Sequence, residues 1–400
     1  MRITLVTETY LPEVNGAARS LSQLVAAMQQ RGHQLQVLYP HHPGPAVNTA
    51  GLGSIPLPFY PQVRLGLARP GLVARRLRRF KTELVHVATE GPLGLAALRA
   101  ARKCRVPVAS SFHTHFDQYA GPYGWSWLQS WIRSYLRWFH NRTAVTLVPS
   151  LAALRDLHAH GYRRLAIWSR GVDAEQFHPR HRSPELRQQF GIAPEDFLIL
   201  YVGRLAHEKN LPELLTSFQA VKSTLAALGQ RAWLALVGSG PLVDGLLRDV
   251  PPGVVLPGVQ QGQALSQWYA SADVFAFPSR TETFGNVVLE AQASGLPVVA
   301  FGDPVMAERI RQGVNGYLVQ DGRGLVDALI DLGRNASRRQ AMAAAARQTA
   351  EAQTWDRVFD DLEGIYFRIL TEHPSRPRRS FLGVLPRSTT PEVRFFGRAT

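Results

Sequence analysis

The chain predicts an α/β protein of two successive units, each a parallel sheet with crossover helices. Three observations predict it. Short apolar runs alternate with longer helix-patterned stretches, which is how strand–helix–strand crossovers read in sequence. That alternation pauses at a polar, proline-containing stretch, residues 177–184, and then restarts. Finally, 400 residues at 45% hydrophobic content can bury more than one core.

In the first half, residues 3–7, 34–39, 84–88, 106–112 and 144–149 read as strands, and 17–31 as a helix stopped by Gly32. In the second half, 197–202, 232–237, 274–278 and 297–301 read as buried strands separated by helices. A boundary near 180 is expected, with a cleft between the units. A helix at 353–370 closes the globular part, and 373–400, rich in Arg, Pro and Ser, reads as a disordered basic tail. The expected division is 1–180, 181–354, a C-terminal helix at 355–372 that crosses back to the first unit, and the tail. The N-terminus enters a strand at once and lacks a signal cleavage site, and no run approaches eighteen apolar residues. A single cysteine, Cys104, excludes an intrachain disulfide and fits a reducing compartment.

The net charge of +15 is unevenly spread. Residues 1–182 carry 23 Lys and Arg against 8 Asp and Glu, whereas 183–372 carry 16 against 21. A basic first half beside an acidic second half points to an anionic surface facing the first. Nucleic acid and anionic lipid both fit that balance, but no nucleic-acid motif is present and the basic-protein reading leaves the loops of the acidic half unexplained.

Those loops carry the chemistry. Pro278-Ser279-Arg280-Thr281-Glu282-Thr283-Phe284-Gly285-Asn286-Val287-Val288-Leu289-Glu290 follows a hydrophobic strand and runs into a helix. Glu282 and Glu290 are eight positions apart, so one straight helix at about 100° per residue would leave them about 80° out of line. Glu282 therefore belongs in the loop and Glu290 in the helix, with Gly285 permitting a tight turn. The amides of Phe284 to Val287 would open that helix toward an anion or a hydroxyl-rich ligand. Carboxylates accept several hydrogen bonds at once, which suits vicinal sugar hydroxyls. A second loop, Gly203-Arg204-Leu205-Ala206-His207-Glu208-Lys209-Asn210, places two cations just past a strand's carboxyl end, where a diphosphate binds in open α/β sheets. A third, Gly238-Ser239-Gly240-Pro241, again follows a strand. Each alone also fits an ordinary turn; together they should meet at one rim of one sheet.

With these three loops in this order the chain resembles glycosyltransferase family 4, whose signature is a pair of glutamates separated by seven residues. The likeness covers most of residues 1–370 and lies nearest the lipid-directed branch. That branch holds phosphatidylinositol mannosyltransferases, GDP-mannose-dependent α-mannosyltransferases, and sulfoquinovosyl and glucosyl diacylglycerol synthases. The resemblance implies two Rossmann-like domains facing a cleft (the GT-B fold) and a retaining transfer from a nucleotide-diphosphate sugar. It implies that Arg204 and Lys209 hold the diphosphate, that Glu290 takes the ribose hydroxyls, and that Glu282 with the Phe284–Asn286 amides holds the transferred sugar. Gly203 and Gly238 belong to the donor loops and Val259 lies beside the base. In the first half, Asn15-Gly16 would approach the donor, and His113 would stand near the reacting centre. His115 departs from the Asp or Asn of close relatives, and Phe301-Gly302-Asp303-Pro304-Val305-Met306 is a second departure, one that bears on donor preference. Trp168-Ser169-Arg170-Gly171-Val172-Asp173 also matches the family and reads equally as a hinge or a ligand contact.

Both signature glutamates are occupied with hydroxyls in this scheme, so neither is the nucleophile a double displacement needs. Same-face substitution follows, with the leaving diphosphate taking the acceptor's proton. The chain has fourteen aspartates and none at Asp-x-Asp spacing, so two fixed cations are expected to do the work of a divalent metal and no cofactor is called for. The acceptor side falls to the basic half. Arg75, Arg76, Arg78 and Arg79 sit among apolar residues in a helix suited to an anionic membrane, and Trp125, Trp127 and Trp131 fit the bilayer interface, an apolar acceptor slot or a helical core. The expected enzyme is cytoplasmic and peripheral to the inner face of the membrane. The expected donor is GDP-mannose, or else a UDP-hexose or UDP-uronic acid. A soluble sugar or polysaccharide acceptor, and a non-catalytic nucleotide-sugar binder, are the alternatives.

Overall fold

The computed structural model describes the chain except residues 9, 11–15, 41–52, 58–59, 113–125, 281–283 and 374–400; at 16–19, 54–57, 60–65 and 126–129 it describes the backbone alone. The chain divides into two compact units, residues 1–169 with the segment from Phe359 onward, and residues 170–358.

The first unit runs β1 (Arg2–Val6), α1 (Gly16–Gln30), β2 (Gln34–Leu38), β3 (Gly53–Leu57), β4 (Tyr60–Leu67), α2 (Pro70–Phe80), β5 (Leu84–Val87), α3 (Pro92–Cys104), β6 (Val108–Ser111), α4 (Ser126–His140), β7 (Val145–Val148), α5 (Leu151–Ala159) and β8 (Leu165–Ile167). Its main sheet is parallel throughout, in the order β2-β1-β5-β6-β7-β8. Strands β5, β6 and β7 are buried at every residue, which only helices on both faces can achieve. Pro70 and Pro92 stand in the first turns of α2 and α3, where a missing N–H costs nothing. Lys81 and Arg105 end those helices in the left-handed conformation.

The second unit runs α6 (Pro184–Gln189), β9 (Phe197–Val202), α7 (Leu211–Ala227), β10 (Ala232–Val237), α8 (Val243–Arg248), β11 (Val254–Gly258), α9 (Gly262–Ser271), β12 (Val274–Phe277), α10 (Asn286–Ala293), β13 (Val298–Phe301), α11 (Pro304–Arg309), β14 (Gly316–Val319), α12 (Gly322–Arg334) and α13 (Ala336–Glu351). The sheet order is β11-β10-β9-β12-β13-β14, again all parallel. Alternation along β9 builds two cores at once. Leu198, Leu200 and Val202 join one hydrophobic cluster, and Phe197, Ile199 and Tyr201 join the cluster on the opposite face. Helix α14 (Trp355–Glu372) follows; from Phe359 it belongs to the first unit, where Tyr366 is buried against His86 and Glu363 meets His33 at 2.7 Å.

The α/β class and the parallel sheets agree with the sequence reading. Four features do not appear in it: the antiparallel β3–β4 hairpin, and the strands β8, β11 and β14. The last three are all edge strands, short and partly exposed, so they lack the continuous apolar run that marked the central ones.

Candidate functional site

In the second unit the chain builds outward from β9 in one direction through β10 and β11, and in the other through β12, β13 and β14. The order therefore reverses between β9 and β12, and ligands of open α/β sheets bind at the carboxyl ends of strands flanking such a reversal. The loops singled out from the sequence leave β10, β9 and β12, three neighbouring strands. Val259, largely exposed, follows β11 beside them.

The first two loops are laced together through their backbones. Gly203 N donates to Val237 O at 3.0 Å, Leu205 N to Ser239 O at 2.8 Å and Leu242 N to Leu205 O at 3.0 Å, while Gly238 N donates to Gly258 O at the end of β11 at 2.9 Å. Gly238 is required by this approach: a Cβ there would lie 1.9 Å from the carbonyl oxygen of Gly203. Arg204 points outward, with its side chain 66% exposed and paired with Glu208 at 3.2 Å. An exposed pair of this kind is worth at most about 1 kcal/mol, so it would give way readily to an anionic ligand. Lys209 closes a short 3-10 turn, His207–Lys209, and Asn210 adopts the left-handed conformation at φ 56° to launch α7.

The signature loop leads into α10. Gly285 stands at its N-cap with φ 74°, a conformation that favours glycine. The amides of Asn286 and Val287 then form the first turn, whose N–H groups have no carbonyl one turn back. Glu290 lies in the second turn, where Tyr269 of α9 donates its phenol to Oε2 at 2.9 Å. Tyr269 is fully buried; burial, and then the Glu290 charge, hold its phenol well above the usual range, so it stays a donor. The sequence reading did not find Tyr269, and nothing local marks it, because its partner is 21 residues away. Phe284 is buried with Arg309 stacked over its ring. Glu282 lies outside the described residues.

In the first unit, Asn15 and His113 also lie outside the described residues, as does Trp125, and the side chain of Trp127 is not described. Gly16 is the first residue of α1. What is described at the carboxyl end of β1 and β5 is a buried polar cluster. Glu8 accepts from the Leu93 amide at 2.9 Å, and its pKa is raised to about 7 by burial, opposed by that amide and reinforced by Glu90. Glu90 accepts His140 Nε2 at 2.9 Å, and Tyr135 donates to the Glu90 carbonyl.

The outer surface of this unit sorts the remaining residues. In α2, Val73, Ala74 and Leu77 face the core, leaving Arg75, Arg78, Arg79, Lys81 and Leu72 exposed and Arg76 half-buried. The apolar stripe of that helix is thus spent on the core, and its outward face is cationic. In α4, Phe139 is buried, whereas Trp131 is 75% exposed. Among the described residues no helix is long and apolar enough to cross a membrane.

Two Rossmann-like units, with a cation-bearing loop, a glycine loop and a carboxylate-bearing helix at the reversal point of the second, define a GT-B glycosyltransferase that uses a nucleotide sugar. Comparison with known proteins agrees. The profile of Glycosyltransferase Family 4 matches residues 14–176, and that of Glycosyl transferases group 1 matches 182–349. The sulfoquinovosyl transferase SQD2 of Arabidopsis thaliana is 36% identical over 358 residues, covering 86% of this chain and 68% of its own. A GDP-mannose-dependent alpha-mannosyltransferase of Mycolicibacterium smegmatis is 34% identical over 382 residues, covering 92% and 98%. An alpha-monoglucosyldiacylglycerol synthase of Streptococcus pneumoniae is 25% identical over 350 residues, covering 83% and 78%. Among solved structures, Anabaena HepE in complex with UDP superposes with a TM-score of 0.71 at 19% identity, over 92% of this chain and all of that one. The chain belongs to glycosyltransferase family 4, and it is a hexosyltransferase.

Proposed function

We propose that this hexosyltransferase moves a hexose, with GDP-mannose the first donor to test, onto a lipid hydroxyl at an anionic membrane, with retention and without a metal. The observation that carries the donor half is that Arg204 and Lys209 lie on the loop after β9, while Glu290 lies on α10, the helix that follows the adjacent strand β12. A guanidinium and an ammonium there neutralise the charge that grows on a departing diphosphate. Glu290, preset by Tyr269, takes the ribose, and Glu282 with the Phe284–Asn286 amides takes the hexose. Asn15, Gly16 and His113 are the first unit's candidate donor contacts, as the family resemblance implies. With both glutamates engaged, the substitution proceeds on one face, and the diphosphate receives the acceptor's proton as the new glycosidic bond forms.

The lipid half is supported by the cationic outer face of α2 and by exposed Trp131. The name of one relative, an alpha-monoglucosyldiacylglycerol synthase, points the same way, and that of another, a GDP-mannose-dependent alpha-mannosyltransferase, bears on the donor. The enzyme would work peripherally on the cytoplasmic face.

A thermal-shift panel of GDP, UDP and their hexose and uronic acid conjugates identifies the donor. Incubation of the best labelled donor with mixed lipid vesicles and excess chelator follows, with solvent extraction and analysis of the anomer. Label entering the organic phase as the retained anomer, undiminished by chelator, is expected. Label passing only to soluble sugars would overturn the lipid acceptor, and loss of activity on chelation would overturn metal independence.

A further inference from the structure

We infer that Arg309 is a positioning residue for the sugar-holding loop, fixing Phe284 from behind and thereby setting how the loop meets the transferred hexose. The inference rests on the reading that Glu282 and the Phe284–Asn286 amides hold that hexose.

Arg309 is the last residue of α11 and only 6% exposed. Burying a guanidinium is costly unless its donors and its faces are engaged. Here Nε donates to the Phe284 carbonyl at 2.8 Å, and one terminal nitrogen reaches Gln353 Oε1 at 3.4 Å. The guanidinium carbon lies 3.9 Å from the centre of the Phe284 ring, a stacked cation–π arrangement. Gln353 in turn donates to the Arg170 carbonyl at 3.2 Å. The carbonyl of Arg309 accepts from Gln292 of α10 at 3.1 Å and from Asn315 at 3.0 Å. One residue therefore grips α10 twice, at the loop that precedes it and along its side.

The platform under Arg309 is itself anchored. Asp303 caps α11 by accepting from the amides of Val305 and Met306, and Met306 is fully buried. Residues 301–306, read from the sequence as a departure from the family, lead into the short helix that delivers Arg309. Phe284 is two residues past Glu282 and immediately precedes Gly285, whose left-handed turn converts the loop into α10. A shift of the Phe284 carbonyl would therefore be passed to the first amides of α10. The diphosphate loops at 203–210 and 238–242 take no hydrogen bond from Arg309 in the contacts described. Substitution of the side chain leaves the Gln292 bond to the residue-309 carbonyl and the Tyr269 bond to Glu290 in place, so it should disturb recognition of the sugar and spare that of the nucleotide.

The test is calorimetry of wild type, Arg309→Met and Arg309→Lys with GDP, UDP, GDP-mannose and UDP-glucose, alongside initial rates with the active donor. For Arg309→Met the affinity for the nucleoside diphosphate should stay within about twofold. Affinity for the nucleotide sugar should fall about tenfold, and kcat about ten- to a hundredfold. Lysine keeps the charge but loses the planar fork, so Arg309→Lys should resemble the methionine variant more than wild type. Equal losses for nucleotide and nucleotide sugar, or no loss in either, would overturn the inference. Should Arg309→Met fail to fold, Phe284→Leu removes the stacked ring and must show the same split at smaller amplitude; an unsplit response again overturns it. Wild type that binds nucleotides but none of their sugars would defeat the donor reading itself, a distinct outcome.

Discussion

Tyr269 donates a hydrogen bond to Glu290 that ties this signature carboxylate to the core of the second unit. The phenol reaches Oε2 at 2.9 Å from a fully buried ring that also packs edge-on against Phe177, with ring centroids 5.4 Å apart. A carboxylate fixed in this way would meet the proposed ribose without first losing rotamer freedom, which is the sense in which a binding group is preorganised.

Removing that phenol should therefore weaken donor binding without touching the chemical step. Tyr269→Phe is expected to raise KM for the donor roughly three- to tenfold, the scale of one hydrogen bond to a charged group lost in part. The kcat should change less than twofold. Steady-state kinetics over a range of donor concentrations checks it, and a fall in kcat with KM unchanged would assign Tyr269 a different role.

The Arg204 side chain is largely exposed and pairs with Glu208 at the surface, so truncating it should cost little in stability and much in rate. Losing one charge-assisted hydrogen bond removes about 1.5–3 kcal/mol. Arg204→Ala should thus lower kcat/KM at least ten- to a hundredfold while the melting temperature moves by no more than a degree or two. Activity near that of wild type would contradict its place on the diphosphate.

Gly238→Ala tests the geometry that makes the phosphate loops possible. The added methyl would overlap the backbone oxygen of Gly203, which belongs to the neighbouring loop and has no rotamer to escape into. A loss of roughly 2–4 kcal/mol is expected by denaturant titration, together with loss of nucleotide binding. An alanine variant with unchanged stability and binding would mean the loops do not approach as described.

The acid range carries a sign that one substitution can isolate. Glu8 titrates near 7 in the folded chain against an ordinary value of 4.5. The folded state thus binds the extra proton between those values, and the resulting stability is present at low pH and lost as pH rises through 7. His86 works oppositely: burial lowers its pKa to about 3, so its contribution is lost as pH falls below its ordinary value. Subtracting the stability curve of Glu8→Gln from that of wild type removes the histidine and leaves the glutamate. The difference should fall by on the order of 2 kcal/mol from pH 4.5 to pH 7.5. A flat difference would show that Glu8 titrates as an ordinary carboxylate.

The membrane proposal has its own test. Replacing Arg75, Arg78 and Arg79 by Gln removes three exposed charges, each worth about 1 kcal/mol near an anionic surface. Co-sedimentation with anionic vesicles at low salt should drop by about a hundredfold or more, with nucleotide binding intact. Unaltered sedimentation would place the membrane-facing surface elsewhere.

Much of this architecture was legible before any coordinates. Strands such as Phe197–Val202 and Ala232–Val237 were readable to the residue because both faces are buried, which leaves an unbroken apolar run. The edge strand Val254–Gly258 was not, since it is half-exposed and carries Pro257 within its span. The three loops could be found because each combines a strand end with residues whose chemistry is distinctive. Tyr269 and Arg309 could not. Each is an ordinary helical residue until folding brings it to Glu290 or Phe284, and no spacing rule encodes a contact across 21 or 25 positions.

The most direct measurement is isothermal titration of the folded enzyme, as wild type and as the Arg204→Ala/Lys209→Ala double variant, with GDP, UDP and their hexose conjugates. The account predicts that wild type binds at least one nucleoside diphosphate and its sugar conjugate, and that the double variant binds both at least a hundredfold more weakly. Absence of heat with every ligand in wild type, or equal affinities in the two proteins, would contradict it.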